Sequence, residues 1–140
     1  MRRLIGLLAM LTAALLPSAG FAQTGTANAA PARGTQQRTA ILNAVRPSIE
    51  ARLGGRVEFI VHCLQVNNGW ALANLDPQRP GGRPIEPSVV ADWQDGDGLT
   101  VTAVLRFRNG RWNLVESAIG ATDVWYVEMA PQSLQRSRCY

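Results

Sequence analysis

Few side chains in this sequence are suited to acid–base or nucleophilic chemistry. The chain has one histidine, His62, and the carboxylates that could act with it are Glu116 and Asp123. Two of these groups within reach of one shared water would form a general acid–base pair, as a small hydrolase or isomerase requires. Cys63 follows His62 directly, but neighbouring strand residues point to opposite faces, which disfavours a Cys-His nucleophilic pair. The three groups stay candidates without an assigned catalytic role.

Metal and cofactor chemistry has little support in the sequence. One histidine and two distant cysteines do not match the ligand spacing of a zinc site. Asp92, Asp95 and Asp97 form an acidic cluster. Because the spacing and the final glutamate of an EF-hand loop are missing, we expect a polar turn there rather than a calcium site. We predict no metal and no cofactor.

Three arginines, Arg106, Arg108 and Arg111, are expected on one face of a hairpin, with the last two directly opposed. Opposed like charges cost stability, so the cluster is either a solvated surface or a binding site for an anion. All fourteen basic residues are arginine, which suits bidentate contacts to carboxylate or phosphate but also follows from a GC-rich genome. The net charge is +4; without Arg2 and Arg3, twelve arginines and ten acids leave +2. That small excess argues against nucleic-acid binding.

The first residues have the pattern of a secretory signal peptide. Arg2 and Arg3 precede an apolar run, Leu4–Leu16, and small residues then lead to the polar Gln23. The run is short for a permanent membrane anchor, and a buried N-terminal helix would leave the two arginines unexplained. We expect residues 1–22 to be removed. A mature domain of 118 residues (140 − 22) then reaches the periplasm or the cell exterior.

Cys63 and Cys139 are the only cysteines. In the oxidising compartment that export implies, they could form a disulfide that joins the C-terminal tail to a strand. Such a bond would stabilise the domain by roughly 4 kcal/mol. The alternatives are a buried Cys63 with a frayed, unpaired Cys139, or a bond between two chains, and the sequence leaves the three open.

The segment Leu99–Gly120 predicts a β-hairpin around which the fold is organised. Its Asn109-Gly110 pair suits a two-residue type I′ turn, which needs positive φ at both positions. The expected register opposes Phe107 to Trp112, Leu105 to Leu114, Val104 to Val115 and Ala103 to Glu116. This register would place Glu116 on the apolar face. There it would pair with an arginine from the helix, line a cleft, or lie at the wet end of the sheet.

The rest of the chain predicts one helix and further strands. Residues 23–34 lack an apolar period and indicate a flexible linker. Thr35 suits the N-cap of an amphipathic helix that ends at Gly54-Gly55 and either kinks at Pro47 or restarts there. The other expected elements are a central strand over Arg56–Val66, a strand over Trp70–Leu75 after a turn at 67–68 or 68–69, a loop over Asp76–Ser88, short strands over Val89–Trp93 and Val124–Glu128, and a loose tail over 131–140.

These elements predict a single α+β domain over residues 35–130. Its N-terminal helix packs on a four- to five-stranded antiparallel meander sheet. One helix covers only one side of such a sheet. The other side is therefore either solvated or the surface that binds a ligand.

Several short stretches carry a resemblance to other proteins. They are Arg38–Leu42 continuing to Arg46-Pro47, Val57–Val61, Gly69–Ala71, Leu105-Arg106 with Gly110–Trp112, and Gly120–Val124. On these stretches the chain resembles a group of small exported bacterial proteins of uncharacterised function. The resemblance implies no activity and carries over no site residue. The order of helix and sheet is also similar to cystatin-like folds, which is an analogy of fold alone.

The function expected from the sequence is an exported, non-catalytic binding module. It would contact a protein or a cell-envelope ligand through the uncovered sheet face or the proline-rich loop. The alternative is a small hydrolase or isomerase-like enzyme with a cleft between helix and sheet. A third possibility is an assembly role through an intermolecular bond of Cys139. We expect no nucleic-acid partner, and no membrane anchor once the signal peptide is removed.

Overall fold

A computed structural model describes residues 28–89, 97–136 and 139 of the chain. They form one long helix packed against a four-stranded antiparallel sheet, which confirms the predicted α+β class with the helix N-terminal to the strands. The predicted signal peptide, residues 1–22, lies outside the described residues. So do two members of the acidic cluster, Asp92 and Asp95.

Helix α1, Gln36–Leu53, begins and ends where the sequence predicts. The Thr35 hydroxyl accepts a hydrogen bond from the Arg38 backbone N–H at 3.3 Å, and Gly54 ends the helix with φ of 65°. The helix runs through Pro47 as one element and does not restart there. The side chains that face the sheet are completely buried and recur every four residues: Ile41, Val45, Ile49 and Leu53.

The sheet is a meander in which each strand pairs with the next. Its strands are β1 (Glu58–Asn67), β2 (Trp70–Gln78), β3 (Val101–Arg108) and β4 (Arg111–Ile119). The spatial order is β1-β2-β3-β4. The prediction of a central first strand is therefore wrong, because β1 lies at one edge of the sheet and β4 at the other.

Both hairpins turn on an Asn-Gly pair. Asn109 and Gly110 have φ of 54° and 74°, and Asn68 and Gly69 have 47° and 74°, which are the positive values of a type I′ turn. The turn predicted at 109–110 is confirmed. Of the two turns considered for the first hairpin, the structure has 68–69, so Trp70 pairs with Asn67.

The β3–β4 register is as predicted near the turn and differs beyond it. Phe107 pairs with Trp112 and Leu105 with Leu114, and the two aromatic rings meet edge-to-face with centroids 5.3 Å apart. The register then shifts between Val104 and Leu105. The predicted pairs Ala103–Glu116 and Val104–Val115 are wrong, because this bulge adds one residue to β4. The observed pairs are Val104–Glu116 and Ala103–Ser117.

Strand β2 extends further than predicted. The sequence predicts a loop that begins at Asp76, but Asp76, Pro77 and Gln78 continue the pairing with β1. A proline is tolerated there because the pairing of β2 with β3 ends at Leu75, so Pro77 has only one neighbouring strand. Of the strand predicted over Val89–Trp93, only Val89 is described, and it ends a 3₁₀ turn, Pro87–Val89.

The first face of the sheet, which α1 covers, holds the main core. Residues two apart along a strand lie on the same face of the sheet. The apolar residues of this face pack against the helix. The buried sheet residues of this core are Leu64, Val66, Ala71, Ala73, Leu75, Val101, Ala103, Leu105 and Trp112.

The C-terminal segment packs across the opposite, second face. The strand predicted over Val124–Glu128 is instead a 3₁₀ turn, Trp125–Glu128, followed by a short helix α2, Gln132–Gln135. The predicted loose tail is also corrected, because Leu134 is completely buried and Cys139 forms a disulfide with Cys63 of β1. We call the described residues of this segment, 125–136 and 139, the C-terminal cap. Its apolar side chains and the sheet form a second cluster: Leu72, Val104, Tyr126, Ala130, Leu134 and Cys139.

The chain ahead of α1 lies along the outer edge of β1. Ala29 and Val66 exchange two backbone hydrogen bonds, of 2.9 and 2.8 Å. The side-chain amide of Asn28 donates to the carbonyl of Ser133 at 2.7 Å, which links this segment to the cap. These contacts involve part of the segment predicted as a linker, residues 23–34.

Candidate functional site

Among the described residues, the second sheet face is covered in its middle and open at both ends. The cap packs over the central pair, Leu72 and Val104. Towards the Asn-Gly turns, the face carries Trp70 and the arginines of the β3–β4 hairpin. Towards the other end, it carries His62 and Asp76. The two open ends differ in chemistry, and each is a candidate site.

The first candidate is a His-Asp pair that joins β1 to β2. The Nε2 atom of His62 lies 2.5 Å from Oδ2 of Asp76, and the Thr100 hydroxyl donates to Oδ1 of Asp76 at 2.7 Å. The register of β1 shifts between Val61 and Cys63, so His62 is the extra residue of a bulge. Bulges redirect side chains in this way. The side chains of His62 and Asp76 are 51% and 42% exposed, so the pair is open to solvent.

The surroundings of Asp76 favour its charged form. Partial burial on its own would raise the pKa of this carboxyl, but the hydrogen bonds from His62 and Thr100, with the charge of His62, outweigh that effect. The pKa of Asp76 is therefore lowered from its ordinary value of 3.8. A carboxylate held in this state can orient the imidazole of His62.

The order of contacts differs from that of a hydrolytic triad. There, the histidine stands between the carboxylate and the nucleophilic hydroxyl and takes the proton of the hydroxyl. Here, the carboxylate of Asp76 stands in the middle, so the hydroxyl of Thr100 is not activated by His62. The group can exchange a proton at the imidazole, but it holds no activated nucleophile.

Cys63 takes no part in this chemistry, for a reason other than the predicted one. Strict alternation along a strand predicts Cys63 and His62 on opposite faces. The bulge breaks that alternation, and Cys63 packs beside the second cluster on the cap side of the sheet. Its sulfur is bonded to Cys139, which leaves no thiol for catalysis.

The structure does not bring the other catalytic candidates to His62. Glu116 lies on β4, three strand spacings or about 14 Å across the sheet from β1. It is exposed, and its carboxylate accepts a hydrogen bond from the backbone N–H of Ser117 at 2.9 Å. It is not the buried carboxylate that the predicted register suggested. Asp123 is exposed in the segment after β4.

The second candidate site is the arginine end of the face. The guanidinium of Arg106 lies 4.7 Å above the ring centre of Trp70, and its Nη1 donates to the carbonyl of Asn68 at 2.8 Å. Its Nε is buried without a hydrogen-bond partner among the described residues. Arg106 therefore joins β3 to the turn of the first hairpin and stacks on Trp70.

Arg108 and Arg111 form the last pair before the turn of the second hairpin, and both are exposed. Within residues 28–89 and 97–136, the only ion pair is that of His62 and Asp76, so neither arginine is neutralised by a carboxylate there. The amide of Asn113 donates to the carbonyls of Arg111 and Arg108 at 3.0 and 3.3 Å. The bond to Arg108 crosses from β4 to β3, and the bond to Arg111 lies within β4.

Sequence reasoning missed Asp76 and Thr100 as functional residues. Asp76 lies in the end of β2 that the proline-rich composition concealed, and Thr100 directly precedes β3. A usable signal was the alternation through Ala71, Ala73 and Leu75, which continues one step to place Asp76 on the opposite face. No pattern local to residue 100 indicated its contact with β2.

No protein-family model, curated protein or solved structure matches this chain significantly. In the described part of the chain, no helix is long and apolar enough to cross a membrane. The same residues contain no group of three or more His, Cys, Asp or Glu side chains placed to hold a metal ion.

Proposed function

We propose that this protein is an exported, non-catalytic binding domain. Its ligand, a protein or a component of the cell envelope, contacts the arginine end of the second sheet face. The observation that carries the proposal is the exposed pair Arg108 and Arg111, which stand opposite one another without a neutralising carboxylate among the described residues. Such a pair costs stability in the free domain, and an acidic group of a ligand would relieve that cost.

The backbone of the hairpin end and the side chain of Arg106 are held by local contacts, which favours binding. Arg106 stacks on Trp70, and Asn113 donates to the backbone carbonyls of Arg108 and Arg111. A backbone that is already ordered does not have to be ordered by the ligand.

Both edges of the sheet are partly blocked, which favours binding through side chains on the face. On β1, Val66 is paired with Ala29. On β4, Arg52 donates to the carbonyl of Ser117 at 3.2 Å, and Glu116 accepts from the N–H of the same residue. A bulge also interrupts β4. These features oppose the addition of a further strand.

Export to the periplasm or the cell exterior is part of the proposal. It is supported by the signal-like pattern of residues 1–22. The Cys63–Cys139 bond supports it as well, because structural disulfides persist in oxidising compartments.

The test is capture of envelope components on the immobilised domain. Wild type is compared with the double variant R108E/R111E, and R33E/R83E serves as a control with the same net charge. We expect at least one protein, lipid or glycan to be retained by wild type and the control and lost by R108E/R111E. Equal retention on all three proteins would contradict the proposed surface, and retention of nothing would contradict the binding function.

A second candidate function, a small hydrolase or isomerase, is favoured by one observation. This is the 2.5 Å contact that orients the exposed imidazole of His62. The test is turnover of chromogenic esters and phosphodiesters by wild type and H62Q. A rate above background that H62Q abolishes would support catalysis. Equal rates would leave the pair with a structural role.

A further inference from the structure

We propose that the end of the β3–β4 hairpin binds a phosphate monoester group, held between the guanidinium groups of Arg108 and Arg111. The inference rests on the proposed binding function and names the chemistry of the ligand. It covers a soluble phosphate ester and a phosphate displayed by a lipid headgroup, which share the same anionic group.

The backbone places the two guanidinium groups within reach of one anion. Arg108 and Arg111 are directly opposed beside a two-residue turn, where Cα atoms of paired residues stand about 5.5 Å apart. Paired residues project from the same face of a sheet. Both side chains are long and exposed, so their ends can converge above the hairpin without movement of the backbone.

In the part of the chain that the structure describes, no carboxylate on this face forms an ion pair with these arginines. The carboxylate on this face of the hairpin is that of Glu116, which pairs with Val104. Val104 lies four residues along β3 from Arg108, so Glu116 is about 13 Å along the hairpin from the Arg108–Arg111 pair. That carboxylate bonds to the N–H of Ser117 instead. Arg106 lies between, on the same face, and adds a third positive charge that Trp70 and Asn68 hold in place.

Two converging arginines suit a phosphate better than a carboxylate. A single guanidinium already satisfies both oxygens of a carboxylate through a bidentate contact. A phosphate monoester has three terminal oxygens and a charge of about −1.5 to −2 at neutral pH. It can therefore accept from two guanidinium groups at once, and it neutralises both members of the opposed pair.

This arrangement predicts that binding and stability respond in opposite directions to one substitution. Arg111→Glu places opposite charges across the hairpin, which stabilises the folded domain. It also removes one of the two guanidinium groups proposed to bind the phosphate. We expect R111E to melt at a temperature equal to or up to about 4 °C above that of wild type while losing phosphate binding. A variant that lost binding because it unfolded would melt lower, so the two causes are separable.

The binding experiment uses the mature chain labelled with ¹⁵N and two probes. The soluble probe is glycerol 3-phosphate, followed by amide and arginine Nε shifts. The membrane probe is phosphatidylcholine vesicles with and without phosphatidic acid, followed by co-sedimentation. We expect saturable shifts confined to residues 106–113, and an affinity about 20-fold lower for R108Q/R111Q than for wild type, near fivefold per arginine. R33Q/R83Q, with the same net charge, should bind like wild type.

Each outcome decides something. Arginine-dependent binding of glycerol 3-phosphate supports the site with a soluble ester as sufficient ligand. Binding only to phosphatidic acid vesicles supports it with a headgroup as the source. Equal affinity for acetate and glycerol 3-phosphate, or equal binding by R108Q/R111Q and wild type, overturns the phosphate assignment. Arginine-dependent envelope capture without phosphate binding would overturn this inference alone and leave the proposed binding function standing.

Discussion

Loss of the Cys63–Cys139 disulfide should remove a large part of the stability of this domain. The two cysteines are 76 residues apart, so the bond closes most of the domain into one loop and restricts the unfolded chain. The chain-entropy model values closure of such a loop at about 4.5 kcal/mol at 25 °C. Small domains have unfolding free energies of about 5–15 kcal/mol. The expected loss is therefore between about a third and nearly all of the total.

Urea unfolding of the oxidised wild type, the reduced wild type and C63A/C139A measures this loss. Circular dichroism and tryptophan fluorescence follow the transition, and linear extrapolation yields the free energy of unfolding. The reduced protein and the variant should both be about 3–4.5 kcal/mol less stable than the oxidised protein. Their dependence on urea should be steeper, because an unfolded chain without the cross-link exposes more surface. Reductant should leave C63A/C139A unchanged, which controls for other effects of the reagent.

A difference in the free energy of unfolding below about 1 kcal/mol would contradict this prediction, because a bond that closes so long a loop is expected to contribute several times more. A disulfide-linked dimer on non-reducing gels would refute it in another way. Cys139 would then bond between chains, and the cap would not be held by Cys63 of its own chain.

Three further predictions concern the second face. Because the pKa of Asp76 is lowered in the folded state, its contribution to stability is present above the unfolded pKa near 4 and is lost as the pH falls through the folded value. Urea titrations between pH 5 and pH 2 should show a steeper loss for wild type than for D76N, and parallel curves would contradict the assignment. Leu134→Ala should reduce the free energy of unfolding by about 3 kcal/mol, since Leu134 is completely buried; a cost below 1 kcal/mol would mean that the cap is not packed as described. Arg106→Gln should reduce the free energy of unfolding by about 1–2 kcal/mol and change the near-ultraviolet circular dichroism of Trp70. The control variant R83Q should change neither quantity.

The candidate sites were only partly predictable from the sequence, because some of their contacts join neighbouring residues and others join residues far apart in the chain. Arg108 and Arg111 flank the turn at Asn109-Gly110, so their opposition follows from four consecutive residues. The partner of His62 is 14 residues away, on a strand whose proline-rich end resembled a loop. That contact also needs the bulge at His62. The composition of β1 does not reveal where an extra residue will be accommodated.

Elements whose conformation depends on neighbours in the chain follow from the sequence alone. Helix α1 begins after Thr35, whose side chain caps it, and ends at Gly54, whose backbone is left-handed. The Asn-Gly pairs form both hairpin turns. These outcomes follow from local steric and hydrogen-bonding preferences. The apolar period of α1 similarly determined which of its sides meets the sheet.

The way in which the second face is covered depends instead on tertiary contacts. The cap, the disulfide and the bulges in β1 and β4 depend on contacts between segments far apart in the chain. A short apolar stretch such as Trp125–Glu128 can be strand or turn, and its environment selects one. It becomes a 3₁₀ turn here because the face formed by Leu72 and Val104 offers it a place to bury Tyr126. Burial against a surface that exists only after the sheet forms outweighs the weak local preference of the segment.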